Sequence, residues 1–238
     1  IQFERPLSEA ELERTRAMLR RRSRGEPVAY VLGRREFFGL SFAVRPGVLI
    51  PRPESEMLVD LAIADSTPAR VADLGCGSGC LGIAVAARVL SARVDLVDVS
   101  PAAVEVAVEN VATLGLDGRV EAFCGSWAQP LLHRGPYDVV LANPPYVTRR
   151  ELGELAATVR DHEPALALDG GEDGLAAYRD LLPQLPALLA PKARVLLEGD
   201  PRRMDALELL CLATLPGVEA RRHLDLSERE RVLELRLP

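Results

Sequence analysis

The chain has 238 residues, 29 Lys and Arg against 35 Asp and Glu, a formal net charge of −6 and 48% hydrophobic residues. That length suits one large α/β domain or a domain with a short appendage, and the acidic balance argues against a dedicated nucleic-acid binder. No apolar run approaches the ~18 residues of a membrane span, and the charged opening "IQFERPLSEAELERTR" has no secretory pattern. The four cysteines read as reduced thiols of a cytosolic protein, not as a disulfide framework. Cys76 and Cys80 have no third and fourth ligand at zinc spacing, and His133, His162 and His223 stand apart from them, so no metal is expected.

In chain order, Ser8 followed by Glu11 predicts a capping box and a helix through about Arg22, ending near Gly25. Arg20, Arg21, Arg22 and Arg24 crowd its last turn, where cations suit the helix dipole. "YVLGRREFFGLSFAVRPGVLIPRP" is strand-like and punctuated by Gly33, Gly39 and Pro46-Gly47, which predicts a β-hairpin. Then strands and helices alternate: a helix at Pro53–Ala64, a strand at Arg70–Leu74, a helix from about Cys80 to Leu90, and a strand at Arg93–Asp98. Ser100 is placed to cap the next helix, with Pro101 at its first position. Further strands fit Val120–Cys124, Tyr137–Ala142 and Val195–Glu198, with a helix around Leu175–Leu189. The end, "VEARRHLDLSERERVLELRLP", reads as two strands joined by a polar loop. Such alternation predicts a doubly wound parallel α/β sheet with its ligand at the carboxyl ends of the strands.

Two stretches carry chemistry. In "VADLGCGSGCLG", Gly75, Gly77 and Gly79 let the backbone approach a ligand, and a helix N-terminus follows. Asp98, 21 positions beyond Gly77 at the end of the next strand, is placed to accept bonds from two ribose hydroxyls. Asp73 meets a cationic ligand or braces the loop. Gly77, Gly79 and Gly82 also spell the dinucleotide fingerprint, so the loop alone suits a nicotinamide oxidoreductase and a methyltransferase equally. The second stretch is "YDVVLANPPYV": the prolines stop the strand at Asn143 and leave a stiff turn of bare carbonyl acceptors, one carboxamide and the Tyr146 ring.

Together "DLGCGSG", "VDVSP" and "NPPY" resemble the amino-methyltransferases that act on adenine, cytosine or glutamine amide nitrogen. Over nearly the whole chain, "GEPVAYVLGRREFFGLSFAVRPGVLIPRPESEMLV", "NPPYV" and "HEPALALDGGEDGLAAYRDLL" resemble one branch of them, the peptide-chain release factor glutamine methyltransferases of the PrmC/HemK family. The resemblance implies a class I (Rossmann-like) methyltransferase fold with an antiparallel C-terminal hairpin. It also implies three parts: residues 1–28 as the end of a helical substrate-binding domain, 29–52 as a β-hairpin linker, and 53–238 as the methyltransferase domain. Only the last helix of the helical domain is expected, as in a truncated chain. The cofactor implied is S-adenosylmethionine, and the partners are class I release factors, methylated on the glutamine of their Gly-Gly-Gln loop. A monomer without stable nucleic-acid or membrane partners is expected.

Carried onto this sequence, the resemblance assigns Asp73, Gly75, Cys76, Gly77, Ser78, Gly79, Asp98, Trp127 and Asn143 to cofactor binding, with Asp98 at the ribose and Trp127 at the adenine. Asn143, Pro144, Pro145 and Tyr146 become the glutamine pocket; Asn143, Pro144 and Tyr146 carry the catalysis. Cys76 stands where the family often has threonine, and Ser126 where an acidic residue commonly precedes the tryptophan. The main alternative is an adenine-N6 nucleic-acid methyltransferase, for which the same tetrapeptide serves a flipped base.

Overall fold

The computed structural model describes residues 5–64 and 68–238. The remaining few positions of the expected helical and methyltransferase parts lie outside the described residues. Ser8 caps the first helix, α1 (Glu9–Ser23), as its side chain accepts from the Glu11 N–H while Glu11 accepts from the Ser8 N–H. No residue of α1 is buried. The Arg21 guanidinium reaches Glu26 and the Tyr30 carbonyl, tying the helix end to the following segment.

That segment corrects one expectation. Val28–Leu32 is a short helix, α2, and not the start of a strand, and Gly33 ends it in the left-handed region at φ 70°. Tertiary burial overrides the strand propensity: Tyr30 packs with Val44 and Ile50, and its hydroxyl donates to the Val48 carbonyl at 2.5 Å. The hairpin itself is present as β1 (Arg34–Phe37) and β2 (Leu40–Ala43). Its two-residue turn, Phe38-Gly39, has both φ values positive, as the strand twist demands. Phe37 and Phe42 meet edge to face and sink into the main core, so the hairpin is stitched onto the domain behind it.

A turn of 3-10 helix at Pro53–Ser55 leads into α3 (Glu56–Ala64), followed by β3 (Arg70–Leu74), α4 (Cys80–Arg88), β4 (Arg93–Asp98), α5 (Pro101–Thr113), β5 (Val120–Cys124) and β6 (Tyr137–Ala142). Ser100 caps α5 with Pro101 in its first turn, as expected. Two short helices, α6 (Arg149–Leu152) and α7 (Ala157–Arg160), precede α8 (Ala176–Leu181) and β7 (Leu189–Glu198). The chain ends in α9 (Met204–Thr214), β8 (Glu219–Leu224) and β9 (Glu230–Arg236). Three sequence expectations shift here. The helix expected through Leu189 leaves α geometry after Leu181, where Pro183 and Pro186 remove backbone donors, and continues as 3-10 helix. β7 begins at Leu189, ahead of the expected Val195, through an irregular register that carries Lys192 at φ 62°. α9 had no counterpart in the sequence reading.

The main sheet runs β5-β4-β3-β6-β7-β9-β8, parallel through β7 and antiparallel in the last two strands. This is the expected doubly wound sheet with an antiparallel C-terminal hairpin. Alternate strand residues feed two cores: Val71, Val139 and Leu141 face the α3–α4–α5 layer, whereas Ala72, Leu74, Val140 and Ala142 face α8 and α9. Burial on both sides explains why these strands read as continuous apolar runs. Among the described residues, no helix is long and apolar enough to cross a membrane.

One buried side chain holds the hairpin to the glycine loop. Asn110 of α5, 1% exposed, accepts from the Ala43 N–H at 2.7 Å and donates to the carbonyls of Ala43 and Ser78. Asn110→Ala leaves these backbone groups without their partner, so a loss of about 2–4 kcal/mol is expected from two or three buried bonds. Urea denaturation of wild type and variant measures it.

Candidate active site

The strand register assembles the site. Leu74 lies opposite Ala142 and Val97, so Gly75, Asn143 and Asp98 emerge side by side at the carboxyl edge. Cys124 pairs with Asp98, which brings Gly125 to Trp127 to the same edge, and Leu197 pairs with Ala142, which brings Glu198 there as well. β3 lies where the strand order turns back on itself, the switch point at which such sheets bind ligands. A cavity of about 350 Å³ opens there, within the usual range for a small-molecule site.

The glycine loop forms one wall. Gly75 and Cys76 both donate their N–H groups to the Val97 carbonyl, which curls the loop over β4. Gly75 has φ 75°, and a Cβ there would lie 3.2 Å from the Trp127 ring. The loop backbone and the indole therefore touch only because residue 75 has no side chain. Trp127 itself sits at φ 47°, a conformation uncommon for a bulky residue, and its ring lines the cavity beside Ser126. Asp98 accepts from the Gly77 N–H at 2.8 Å on one oxygen and from the Ser100 N–H at 2.9 Å on the other. Each oxygen keeps a further acceptor position, and Asp98 lines the cavity. Partial burial pushes its carboxyl up, opposed by those backbone bonds.

Not every expected residue reaches the cavity. Gly75, Cys76, Gly77, Ser78, Asp98, Trp127, Asn143 and Pro145 line it; Asp73, Gly79, Pro144 and Tyr146 do not. Asp73 is fully buried behind the loop and accepts from the Gly82 N–H at 2.9 Å, so it braces the loop. Gly82 packs against Leu96 and Val94, the helix-on-strand contact of the third fingerprint glycine, away from the ligand side. Cys76 and Cys80 line the cavity as thiols, since burial pushes Cys80 up to about 12 and Cys76 well above its ordinary value.

The turn after β6 forms the other wall. The Asn143 amide donates to the Ser55 hydroxyl at 3.1 Å, and Ser55 donates to Glu198 at 2.5 Å. The Tyr146 hydroxyl reaches the other Glu198 oxygen at 3.3 Å. Behind the turn lies the segment of Gly170, Gly171 and Gly174. Val147 and Asp169 form a parallel bridge, the Gly170 N–H donates to the Val147 carbonyl, and the Arg149 N–H donates to the Gly171 carbonyl. A Cβ on Gly170 would stand 2.7 Å from the Tyr146 Cα, so this glycine serves close backbone approach. Glu163 accepts from the Ile50 N–H and from Arg52, fastening the stretch after the hairpin over the cavity. Sequence reasoning left Ser55, Glu163 and Glu198 without roles; only Glu198, an acidic residue ending an apolar strand, offered a signal.

The family described as Methyltransferase small domain matches residues 53–171, and the PrmC N-terminal domain family matches residues 1–33. A release factor glutamine methyltransferase of Bradyrhizobium diazoefficiens is 38% identical over 242 aligned positions, covering 99% of this chain and 80% of its own length. This chain belongs to the release factor glutamine methyltransferases. A relative of the same name from Geobacter sulfurreducens is 40% identical over 83% of this chain and 69% of its own length. Another from Gloeobacter violaceus is 44% identical over 80% of this chain and 68% of its own. Among solved structures, a methyltransferase from Pyrococcus furiosus has the same fold, with TM-score 0.61 and 16% identity over 94% of this chain and 98% of that one. For a release factor glutamine methyltransferase, the nicotinamide reading of the glycine loop falls away.

Asp73 makes the loop pH-sensitive. Burial pushes its carboxyl up to about 7, and its second oxygen has no partner. The folded chain thus favours the protonated form, so the contribution to stability is complete below the ordinary carboxylate range and is lost as pH rises through about 7. Asp73→Asn cannot ionise and should lack this loss. Its Tm relative to wild type is expected to rise between about pH 5 and pH 8, the window of that linkage, as thermal unfolding at several pH values would reveal.

Proposed function

We propose that this chain transfers a methyl group from S-adenosylmethionine to the side-chain amide nitrogen of the glutamine in the Gly-Gly-Gln loop of class I release factors. The observation that carries this reading is the register that sets the glycine loop and the Asn-Pro-Pro-Tyr turn on adjacent strand ends around one cavity. Gly75 to Ser78 offer backbone to a methionine and ribose, Asp98 retains acceptor positions for two hydroxyls, and Trp127 presents a ring face for adenine. When bound, S-adenosylmethionine supplies an electrophilic methyl on its sulfonium.

The amide nitrogen of glutamine is a poor nucleophile because its lone pair is delocalised into the carbonyl. In this reading the Asn143 Oδ1 and the Pro144 carbonyl accept its two N–H groups. They hold the nitrogen toward the donor and favour the positive charge that develops there. The Tyr146 ring covers the flat amide. No general base is needed, as the proton of the methylated, cationic amide leaves to solvent. A grip worth ~3 kcal/mol in the transition state supplies more than ~100-fold in rate.

The deciding experiment offers labelled S-adenosylmethionine with release factor, DNA and tRNA in parallel. Label should enter the release factor alone and vanish when its loop glutamine is replaced by alanine. Labelling of that alanine factor, or stronger labelling of DNA, would refute the reading. Two variants separate binding from chemistry. Asp98→Ala should weaken donor binding by about 1.5–3 kcal/mol, measured by calorimetry. Asn143→Ala should keep donor affinity within several-fold while transfer falls by roughly 100-fold.

A further inference from the structure

We propose that Glu198 is a positioning residue for methyl transfer: through the Ser55 hydroxyl it fixes which end of the Asn143 carboxamide faces the acceptor. This rests on the reading of Asn143 given above. The chain of contacts is short and buried. Glu198 is 1% exposed, and its two carboxylate oxygens take hydroxyl hydrogens from Ser55 at 2.5 Å and from Tyr146 at 3.3 Å. Ser55, 3% exposed, sits directly beneath Asn143, whose amide nitrogen is 3.1 Å from its oxygen.

The direction of each bond follows from donor counts. A carboxylate only accepts, and a serine hydroxyl has one hydrogen. With that hydrogen committed to Glu198, the Ser55 oxygen can only accept from Asn143. The NH2 group of Asn143 must therefore point at Ser55, which leaves Oδ1 as the free end. An amide rotated by 180° would set two acceptors, Ser55 Oγ and Asn143 Oδ1, against each other and turn a donor toward the N–H groups of the substrate. One buried carboxylate thus makes Asn143 an acceptor.

The fold holds Glu198 at this station by register. Leu197 pairs with Ala142 on one side and Glu198 with Val232 on the other, so the carboxylate emerges beside the turn that follows β6. Its backbone is pinned too, as the Tyr178 hydroxyl donates to the Glu198 carbonyl at 2.5 Å. Burying an ionisable group here opposes its charge, and burial does push the Glu198 carboxyl up; the hydroxyls of Ser55 and Tyr146 and the Arg231 charge counter it. A carboxylate retained at that cost, when a glutamine would fill the same volume, matches a role that requires an acceptor on both oxygens.

Glu198→Gln tests this because its new NH2 group can donate to Ser55, free the Ser55 hydrogen for Asn143 Oδ1 and invert the carboxamide. We expect kcat to fall by about 10- to 100-fold, the scale of a misoriented positioning group, with donor affinity within about twofold of wild type. In an Asn143→Ala background, Glu198→Gln should have little further effect on kcat, since the group it orients is gone. An independent readout is the side-chain amide resonance of Asn143 in nitrogen-edited NMR, assigned by its absence from Asn143→Ala. It should move in Glu198→Gln and in Ser55→Ala. The Ser55→Ala variant keeps Glu198 in place and carries the test if Glu198→Gln does not fold. An unmoved amide resonance overturns the proposal. So do effects of Asn143→Ala and Glu198→Gln that multiply independently, or equal losses of donor binding and turnover. If wild type fails to label release factor, the functional reading falls, and the resonance alone decides the role of Glu198.

Discussion

The parallel pairing of β3 with β6 is the constraint on which the rest of the site depends. Those strands are separated by two helices and two other strands in the chain, yet Leu74 and Ala142 end up opposite each other. A slip of one residue would turn every side chain of a strand to the other face, exchanging Val71 and Ala72 between the two cores. Because both faces are buried, the apolar packing fixes the register, and the register fixes which loops meet. The glycine loop and the Asn-Pro-Pro-Tyr turn are neighbours as a consequence of core packing.

Loops placed in this way still have to be held, and the molecule uses buried polar side chains for it. Asn110 ties the hairpin to Ser78, Asp73 closes onto Gly82, Glu163 takes Ile50 and Arg52, and Glu198 takes Ser55 and Tyr146. Each bond joins segments remote in sequence. In a dry interior such bonds are costly to break one-sidedly, because the abandoned partner stays desolvated. The walls of the cavity are thus stiff where chemistry requires alignment. The glycines behind Tyr146 extend the same logic to the backbone, packing one loop onto another at distances that no side chain would permit.

The assignment of function rests on different ground from the fold. The solved structure that this fold resembles shares only 16% of its residues, and a doubly wound sheet serves many chemistries. What narrows the chemistry is the acceptor turn beside the donor loop, together with relatives that share two-fifths of the sequence over most of its length. A net charge of −6 fits a protein substrate better than a polyanion.

By itself, the sequence determined the elements whose signals are local. The capping box at Ser8, the strands Arg70–Leu74, Arg93–Asp98, Val120–Cys124 and Tyr137–Ala142, and the Ser100-Pro101 helix start all stand where spacing and caps put them. Glycine and proline chemistry likewise marked the two loops that meet at the cavity, since backbone permissiveness and missing donors are properties of single residues. Tertiary structure alone decided what depends on contacts across the chain. It made Val28–Leu32 a helix because Tyr30 finds a core there, and it turned Asp73 away from the cavity to brace the loop. It also brought Ser55 and Glu198, 143 positions apart, beneath Asn143. No local pattern encodes that meeting, because a strand residue at a carboxyl edge acquires its partners only when register and sheet order are set.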